Sequence, residues 1–327
     1  MLFRSKLSLL YFIYEERKQC IFCENKYLID ILPKNYETFL NLGMYECIPE
    51  SYYMPYNISV CLNCYSAQNK YIGNLSIVYG KNHIDNFGTT KTKKHMMFSE
   101  FILNNKNIKS IVEVGSCTDT LASLIKEQNE NIKYSIIEPS YSGNKTDLNI
   151  IQEYFENYDL NLLDVDTIIM SDVYEHFYYP VKILEKLQNS SIKYIYLNHP
   201  DFDYSIKNNF FINLNSEHTF LIEHQFLFEL FEKYGFKLQR RVDFENFSLY
   251  LEFVRYEKNV TISNFVLKNI NTYNDVILYT NNMLTIVNKI NNYMDNNQNK
   301  KFYIWPSSIH SMPLFIFGLN YKNMTGI

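Results

Sequence analysis

The stretch from Ser110 to His176 constrains this 327-residue chain most, because three separated segments in it describe one supersecondary unit. Residues 110–114 form an apolar, β-branched run that breaks at Gly115 and resumes as an amphipathic helix ending near Lys126. Tyr134 to Ser140 is a second short β run, and it ends in a carboxylate, Glu138, 25 residues after Glu113. Asp166 to His176 is a third run, with Asp172, Glu175 and His176 just behind it. A strand, a tight turn into a helix and a strand ending in an acid make a βαβ unit, whose ligand sits beyond the carboxyl ends of the strands. That places a ribose beside Glu138.

The turn limits what that ligand can be. A pyrophosphate needs a G-x-G-x-x-G loop so that the backbone can approach it. Here the turn reads Gly115-Ser116-Cys117-Thr118-Asp119, with one glycine. A nicotinamide dinucleotide is therefore disfavoured, whereas a nucleoside cofactor without phosphate tolerates the loss. An ordinary βαβ unit with no ligand is the alternative.

Four of the six cysteines form two pairs, Cys20-x-x-Cys23 and Cys61-x-x-Cys64. Two such knuckles supply four thiolates at the spacing of a closed structural zinc site, which leaves no open position for water or substrate. The metal would hold together a small domain with little core of its own. A redox pair and a disulfide are rival readings; Cys47 and Cys117 are most simply free thiols.

With 46% hydrophobic and 17% aromatic residues the composition is that of a folded protein, and the length suits two or three domains. A net charge of −4 offers no basic field for nucleic acid, which is not an expected partner. The apolar run Leu7–Tyr14 is followed by Glu15-Glu16-Arg17-Lys18 and is too short to span a bilayer, so it reads as a strand or short helix. No membrane partner is expected. Sequons at Asn57 and Asn144 arise by chance in an Asn-rich chain, and a reducing, cytoplasmic compartment is the expectation.

The second knuckle leads into a linker and a helix from about Thr92. Beyond the diagnostic stretch, the pattern predicts a helix over Pro180–Leu187, a strand over Lys193–Pro200, a helix over Glu223–Tyr234, and strands over Lys237–Phe244 and Phe247–Val254. A polar helix follows over Ser263–Asn296. Lys301 to Asn320 then reads as strand, turn and helix, the start of an incomplete second α/β unit. The expected domains are 1–75, 76–256 and 257–327.

In order and spacing these features resemble the sugar C-methyltransferase family, S-adenosylmethionine (SAM) dependent enzymes with a zinc-binding domain, a central class I methyltransferase domain and a C-terminal Rossmann-like domain. The resemblance rests on the two knuckles, Leu42-Gly43-Met44, Val112-Glu113-Val114-Gly115, Ile137-Glu138-Pro139-Ser140, Ser171-Asp172-Val173-Tyr174-Glu175-His176, Pro200-Asp201-Phe202 and Glu217-His218. It implies an α/β class I sheet beside a small zinc-knuckle domain, with SAM and Zn2+ as cofactors. The implied substrate is a small molecule, a nucleotide-linked deoxysugar, and the expected assembly a monomer or homodimer. Glu113 and Gly115 would line the methionine side of SAM, Glu138 would hold the ribose, and Asp172, Glu175 and His176 would flank the cofactor. His218 matches the family's general base and Glu217 the acid beside it, while Tyr79 stands where the family carries an active-site tyrosine. His83 and His95 are expected in solvent or packing roles.

Three departures accompany the match. Asn215 replaces a tyrosine, Cys117 and Asp119 replace turn glycines, and the C-terminal region is shorter than the family's. The first leaves O-methylation of a sugar hydroxyl open beside C-methylation. Together they leave open an inactive homologue that serves as an interaction scaffold.

Overall fold

The computed structural model describes residues 13–40, 53–79, 89–144, 147–245, 247–256, 272–305 and 311–325. The chain divides into two units. Unit 1 gathers Met1–Val78, Phe202–His224 and Lys268–Ile327, and unit 2 gathers Tyr79–Asp201 and Gln225–Leu267.

Unit 1 opens with short strands, β1 (Tyr14–Glu16), β2 (Leu28–Asp30), β3 (Tyr36–Phe39), β4 (Tyr53–Tyr56), β5 (Ile58–Cys61), β6 (Ala67–Asn69) and β7 (Tyr71–Gly73). β1 pairs with β7 and β3 with β4, both antiparallel. β5 and β6 form an antiparallel hairpin across the second Cys-x-x-Cys, and β2 adds to its outer edge.

Unit 2 is built on helix α1 (Thr89–Leu103), β8 (Ser110–Val114), α2 (Thr120–Gln128), β9 (Lys133–Ile137), β10 (Asn149–Ile151), β11 (Thr167–Ser171), α3 (Pro180–Gln188) and β12 (Tyr194–Pro200). Every residue of β8 is buried, as a parallel strand covered on both faces requires. After β12 the chain contributes α4 (Phe202–Asn208) and β13 (Phe220–Leu221) to unit 1, where β13 pairs antiparallel with β6. It then runs through α5 (His224–Lys233) into β14 (Phe236–Phe244) and β15 (Ser248–Arg255) of the large sheet.

The large sheet has the order β10-β9-β8-β11-β12-β15-β14. Its first five strands are parallel, and β15 runs antiparallel to both neighbours. This is the sheet of the class I SAM-methyltransferase fold, a mixed α/β layer that by itself specifies no chemistry. β15 is buried along Ser248–Phe253, whereas β14 turns Lys237, Arg241 and Asp243 to solvent, a charged edge that discourages further pairing. Aromatic rings fill the layers. Phe98 and Phe101 of α1 pack on Tyr250, and Phe231 of α5 stacks on Phe253 at 4.3 Å.

The expected elements from Pro180 to Val254 are found within one or two residues of their predicted ends. Two expectations are corrected. The segment 202–224, placed by sequence inside the sheet domain, belongs to unit 1, because the pairing of Phe220 with Gln68 and of Leu221 with Ala67 draws it there. The C-terminal stretch does not begin a second sheet over its described residues. It gives helix α6 (Thr272–Asp295) and helix α7 (Met312–Ile316), both in unit 1, and Phe302 instead accepts a backbone hydrogen bond from Thr325. Leu42-Gly43-Met44, Cys47 and His83 lie outside the described residues, as do most of the N-terminal apolar run and residues 263–271 of the polar helix.

The turn from β8 to α2 depends on one glycine. Gly115 has φ of +77°, and a Cβ there would stand 2.6 Å from Cγ2 of Val173. Gly115→Ala combines left-handed strain with a clash against a short, stiff side chain, and is expected to cost about 1–3 kcal/mol. Urea denaturation would measure it; a loss below about 0.5 kcal/mol would show that the turn relaxes freely.

Candidate cofactor cradle and metal centre

In unit 2 the parallel register aligns the carboxyl ends of three strands. Val114 pairs with Ile137 on one side and Met170 on the other, so Gly115, Glu138 and Ser171-Asp172 emerge at one edge. The N–H of Gly115 donates to the Ile137 carbonyl (3.0 Å), and that of Glu138 to Ile151 (3.0 Å), extending the pairing just past the strand ends. Glu138 is buried, and its Oε1 accepts from the Ser140 N–H at 2.7 Å, which stiffens the acid where a ribose was expected. Ser142 closes the other side of the cradle, its N–H and hydroxyl both donating to the Cys117 carbonyl. Cys117 and Asp119 are thus accommodated within a turn braced from across the βαβ unit. Glu113 is buried one step below, and its Oε2 accepts from the Tyr134 hydroxyl at 2.7 Å.

Asp172 follows β11 with φ of 55°, a conformation that few side chains adopt and that clusters at functional sites. Two groups that the sequence did not single out hold it there. Lys94 of α1 donates to both carboxylate oxygens at 2.7 and 2.8 Å, and Asn198 donates to Oδ2 at 3.1 Å. Crowding by protein pushes the Asp172 pKa up, but the charge and hydrogen bond of Lys94, with Lys91 and His95 behind it, outweigh this and hold the pKa below the usual carboxylate value. Glu175 behaves oppositely. It is fully buried, neither carboxyl oxygen has a hydrogen-bond partner among the described residues, and burial followed by the Asp172 charge pushes its pKa well above the carboxylate range. Two acids three residues apart are therefore driven toward different protonation states.

His176 and Tyr79 meet beside them. The Tyr79 hydroxyl and His176 Nδ1 lie 2.8 Å apart, and the Tyr79 carbonyl accepts from the Ser140 hydroxyl at 3.0 Å. Tyr79 thus touches the segments that follow both β9 and β11.

Unit 1 holds the four knuckle cysteines and the His218 segment. Cys20 Sγ lies 3.5 Å from Cys64 Sγ, Cys23 Sγ lies 3.6 Å from Cys61 Sγ, and all four sulfurs fall within 4.8 Å of one another. Sulfurs about 2.3 Å from one zinc ion at tetrahedral angles stand roughly 3.8 Å apart, so the cluster fits such an ion. The two knuckles repeat each other bond for bond. Cys20 and Cys61 donate their N–H to the carbonyls of Asn25 and Ser66, accept through their own carbonyls from Glu24 and Tyr65, and accept at sulfur from the N–H of Phe22 and Asn63. Glu24 and Tyr65 share a left-handed backbone, φ 58° and 60°, where Gly is the usual choice. Hydrogen bonding among the sulfurs, first with Cys20, lowers the Cys61 pKa to about 6 and drives Cys23 further down, while the same network raises Cys20 and Cys64.

Asn215 explains its own departure from tyrosine. It is fully buried, its Oδ1 accepts from the N–H groups of Glu217 (2.9 Å) and His218 (2.8 Å), and its amide donates to the Ile212 carbonyl. The Asn215 amide oxygen lies three bonds from Cα, short enough to cap its own turn, whereas a tyrosine hydroxyl lies beyond a ring and could not. Glu217 is buried and His218 half-buried, its ring edge-on to Phe202 at 6.2 Å. His95, expected in a minor role, contributes to the field around Asp172.

No protein-family model matches the sequence, and no curated protein matches it. Solved structures with a similar chain path include CalO1, a methyltransferase in calicheamicin biosynthesis with S-adenosylhomocysteine (SAH) bound, at 12% identity and a TM-score of 0.41 over 51% of this chain and 55% of that one. The mitomycin 7-O-methyltransferase MmcR is similar at 12% identity and a TM-score of 0.42, over 52% of this chain and 55% of that one. A SAM-dependent methyltransferase from Aquifex aeolicus matches over 52% of this chain and 100% of its own, at 15% identity and a TM-score of 0.37. The chain spans about half the length of the first two. TM-scores below 0.5 add nothing to the fold, which is defined by strand order and register. No helix among the described residues is long and apolar enough to cross a membrane.

Two measurements follow. Elemental analysis of purified protein is expected to find one zinc per chain, lost with its thermal transition lowered when Cys61→Ser removes a ligand; a metal-free protein of full stability would refute a structural metal. Asp172 has a depressed folded-state pKa, so its stabilisation is present above about pH 4, the unfolded value, and is lost as pH falls through the folded one. Its side chain keeps 38% of its surface in solvent, so the effect is screened to about 1 kcal/mol or less. Asp172→Asn should therefore lower the denaturation midpoint at pH 7, with the gap to wild type closing as pH falls through the folded pKa; an equal gap at every pH would assign the loss to packing.

Proposed function

We propose that this protein is a SAM-dependent methyltransferase acting on a nucleotide-linked sugar, with a structural zinc ion in the four-cysteine cluster. The observation that carries the reading is Glu138, a buried carboxylate at the carboxyl end of β9, beside a Gly115 turn at the carboxyl end of β8 in a class I sheet. The residues fit a phosphate-free nucleoside cofactor. The turn after β8 lacks the second and third glycines that a pyrophosphate would need, and Glu138, at the strand end where a ribose would sit, is already oriented by the Ser140 N–H.

SAM, when bound, supplies an electrophilic methyl group. Glu138 would accept the ribose hydroxyls, Glu113 and Gly115 would border the methionine side, and Asp172, Glu175 and His176 would flank the cofactor. Glu175, favoured in its neutral form by burial, can donate a hydrogen bond that an ionised acid cannot. His218 takes the proton from the sugar, at the carbon beside a ketone for C-methylation or at a hydroxyl oxygen for O-methylation. An imidazole suits either because its pKa lies near neutrality, and Glu217 would orient the ring. Tyr79, hydrogen-bonded to His176, is the further hydroxyl proposed for the active site.

A second reading is a non-catalytic scaffold. It is favoured by the engagement of Asp172 by Lys94 and of Glu113 by Tyr134, which occupies two acids that a cofactor would otherwise meet.

Calorimetric titration with SAM and SAH separates the two. Wild type is expected to bind both with Kd on the order of micromolar, and Glu138→Ala to lose at least about tenfold in affinity with its thermal transition preserved. His218→Ala should keep SAM affinity and lose about a hundredfold or more in turnover of nucleotide sugars. No binding by folded, zinc-replete wild type would select the scaffold.

A further inference from the structure

The His218 segment sits on the strand that leaves the second knuckle. Cys64 is followed by Ser66, whose hydroxyl lies 3.1 Å from Cys64 Sγ and 3.4 Å from Cys20 Sγ, and β6 begins at the next residue. At its end Asn69 is buried. Its side-chain amide donates to three carbonyls across the sequence, those of Asn215 (2.9 Å), Ser216 (3.3 Å) and His218 (2.9 Å), while its backbone N–H donates to Thr219 (2.9 Å). Arg17, three residues before the first knuckle, donates through one guanidinium nitrogen to the carbonyls of both Asn69 (3.2 Å) and Thr219 (2.8 Å). The turn holding His218 is thus gripped on its inner side by its own Asn215 and on its carbonyl side by Asn69.

The first knuckle reaches the same strand by two further contacts. Gln68 accepts from the Ile21 N–H at 2.9 Å and donates to the Gln19 carbonyl at 3.1 Å, so a β6 side chain spans the entry to that knuckle. Phe22, between Cys20 and Cys23, packs edge-on against Phe220 at 5.3 Å, and Phe220 lies two residues beyond His218 in β13. Both knuckles therefore contact β6 or β13, and neither contact requires a residue outside unit 1.

We propose that the metal-binding knuckles are the positioning element for the His218 segment, acting through β6 with Asn69 as the tether. The inference rests on the reading of His218 as the general base. A closed four-thiolate site has no open coordination position with which to act on substrate, but it fixes the two chain turns from which β6 and the Phe22 ring project. An imidazole that removes a proton must be held within a fraction of an ångström, and a displacement of about 1 Å can cost on the order of a hundredfold in rate. Arg17 and Asn69 are then positioning residues, acting through the backbone that carries His218.

The test compares zinc-loaded full-length wild type with Asn69→Ala by amide hydrogen exchange, histidine titration followed by NMR, and steady-state kinetics. Asn69→Ala is expected to retain its zinc and its SAM affinity and to speed exchange at residues 215–219 by about tenfold or more. It should also shift the His218 titration, and lower kcat by roughly 10- to 100-fold with the sugar KM little changed. Stripping zinc from wild type with a chelator should speed exchange over the same residues while strands β8 to β12 remain protected. Exchange and His218 titration in Asn69→Ala that match wild type would overturn the proposal, as would zinc removal that leaves residues 215–219 protected. Should Asn69→Ala fail to fold, Phe22→Leu, which keeps all four cysteines and removes the ring contact with Phe220, is read by the same exchange and titration criteria. Full turnover by His218→Ala would instead remove the base assignment, and altered exchange in Asn69→Ala would then still establish the tether.

Discussion

The central position of β8 in the parallel sheet is the constraint from which unit 2 follows. Its backbone is committed to β9 on one side and β11 on the other, so Val114 lies level with Ile137 and Met170. That register brings the residues after each strand to one edge, where the N–H groups of Gly115, Glu138 and Asp172 each make one last bond to the neighbouring strand. It also brings Val173 against Gly115, leaving no room there for a side chain. A one-residue slip in either pairing would exchange the two buried faces of the strand and take Gly115 out of line with Glu138 and Asp172.

Unit 1 is organised by a different economy. Its described strands are two to four residues long, and many of its buried side chains are polar: Asn57, Ser59, Ser66, Gln68, Asn69, Asn213 and Asn215. Asn57, for example, receives the backbone N–H groups of Leu32 and Ile58 and donates to Lys34 and Asn35. Buried amides used in this way bridge segments that a small apolar core could not hold in register, and the four cysteine sulfurs gather at one point beside them. Such a network is directional, whereas hydrophobic packing is not, so it fixes the orientation of the segments that it joins.

Two features of the cradle run against local preference, the left-handed Asp172 and the fully buried Glu175 without a hydrogen-bond partner among the described residues. Both sit within four residues of the end of β11. Backbone strain and an unsatisfied buried acid persist only where surrounding structure over-determines them, and here the sheet on one side and Lys94 with Asn198 on the other do so. The opposed protonation tendencies of Asp172 and Glu175 come from this asymmetry: one acid is hydrogen-bonded to an ammonium, whereas for the other burial and the Asp172 charge dominate.

What the sequence determined by itself is whatever depends on short-range pattern. β-branched runs announced β8, β9 and β11, a lone glycine announced the turn, and two Cys-x-x-Cys spacings announced a four-cysteine cluster, because strand period, left-handed turns and knuckle spacing are each written within a few residues. Tertiary structure alone decided what depends on contacts across the chain. Lys94 pairs with Asp172 from 78 residues away, and Asn69 reaches the His218 carbonyl from 149 away. A lysine on a polar helix and one asparagine among many carry no local mark of such roles. The same holds for the segment 202–224, whose two-residue strand was too short to signal that it pairs with β6 rather than extending the large sheet. Its place is set by backbone pairing with a strand more than a hundred residues earlier, a contact that no local pattern records.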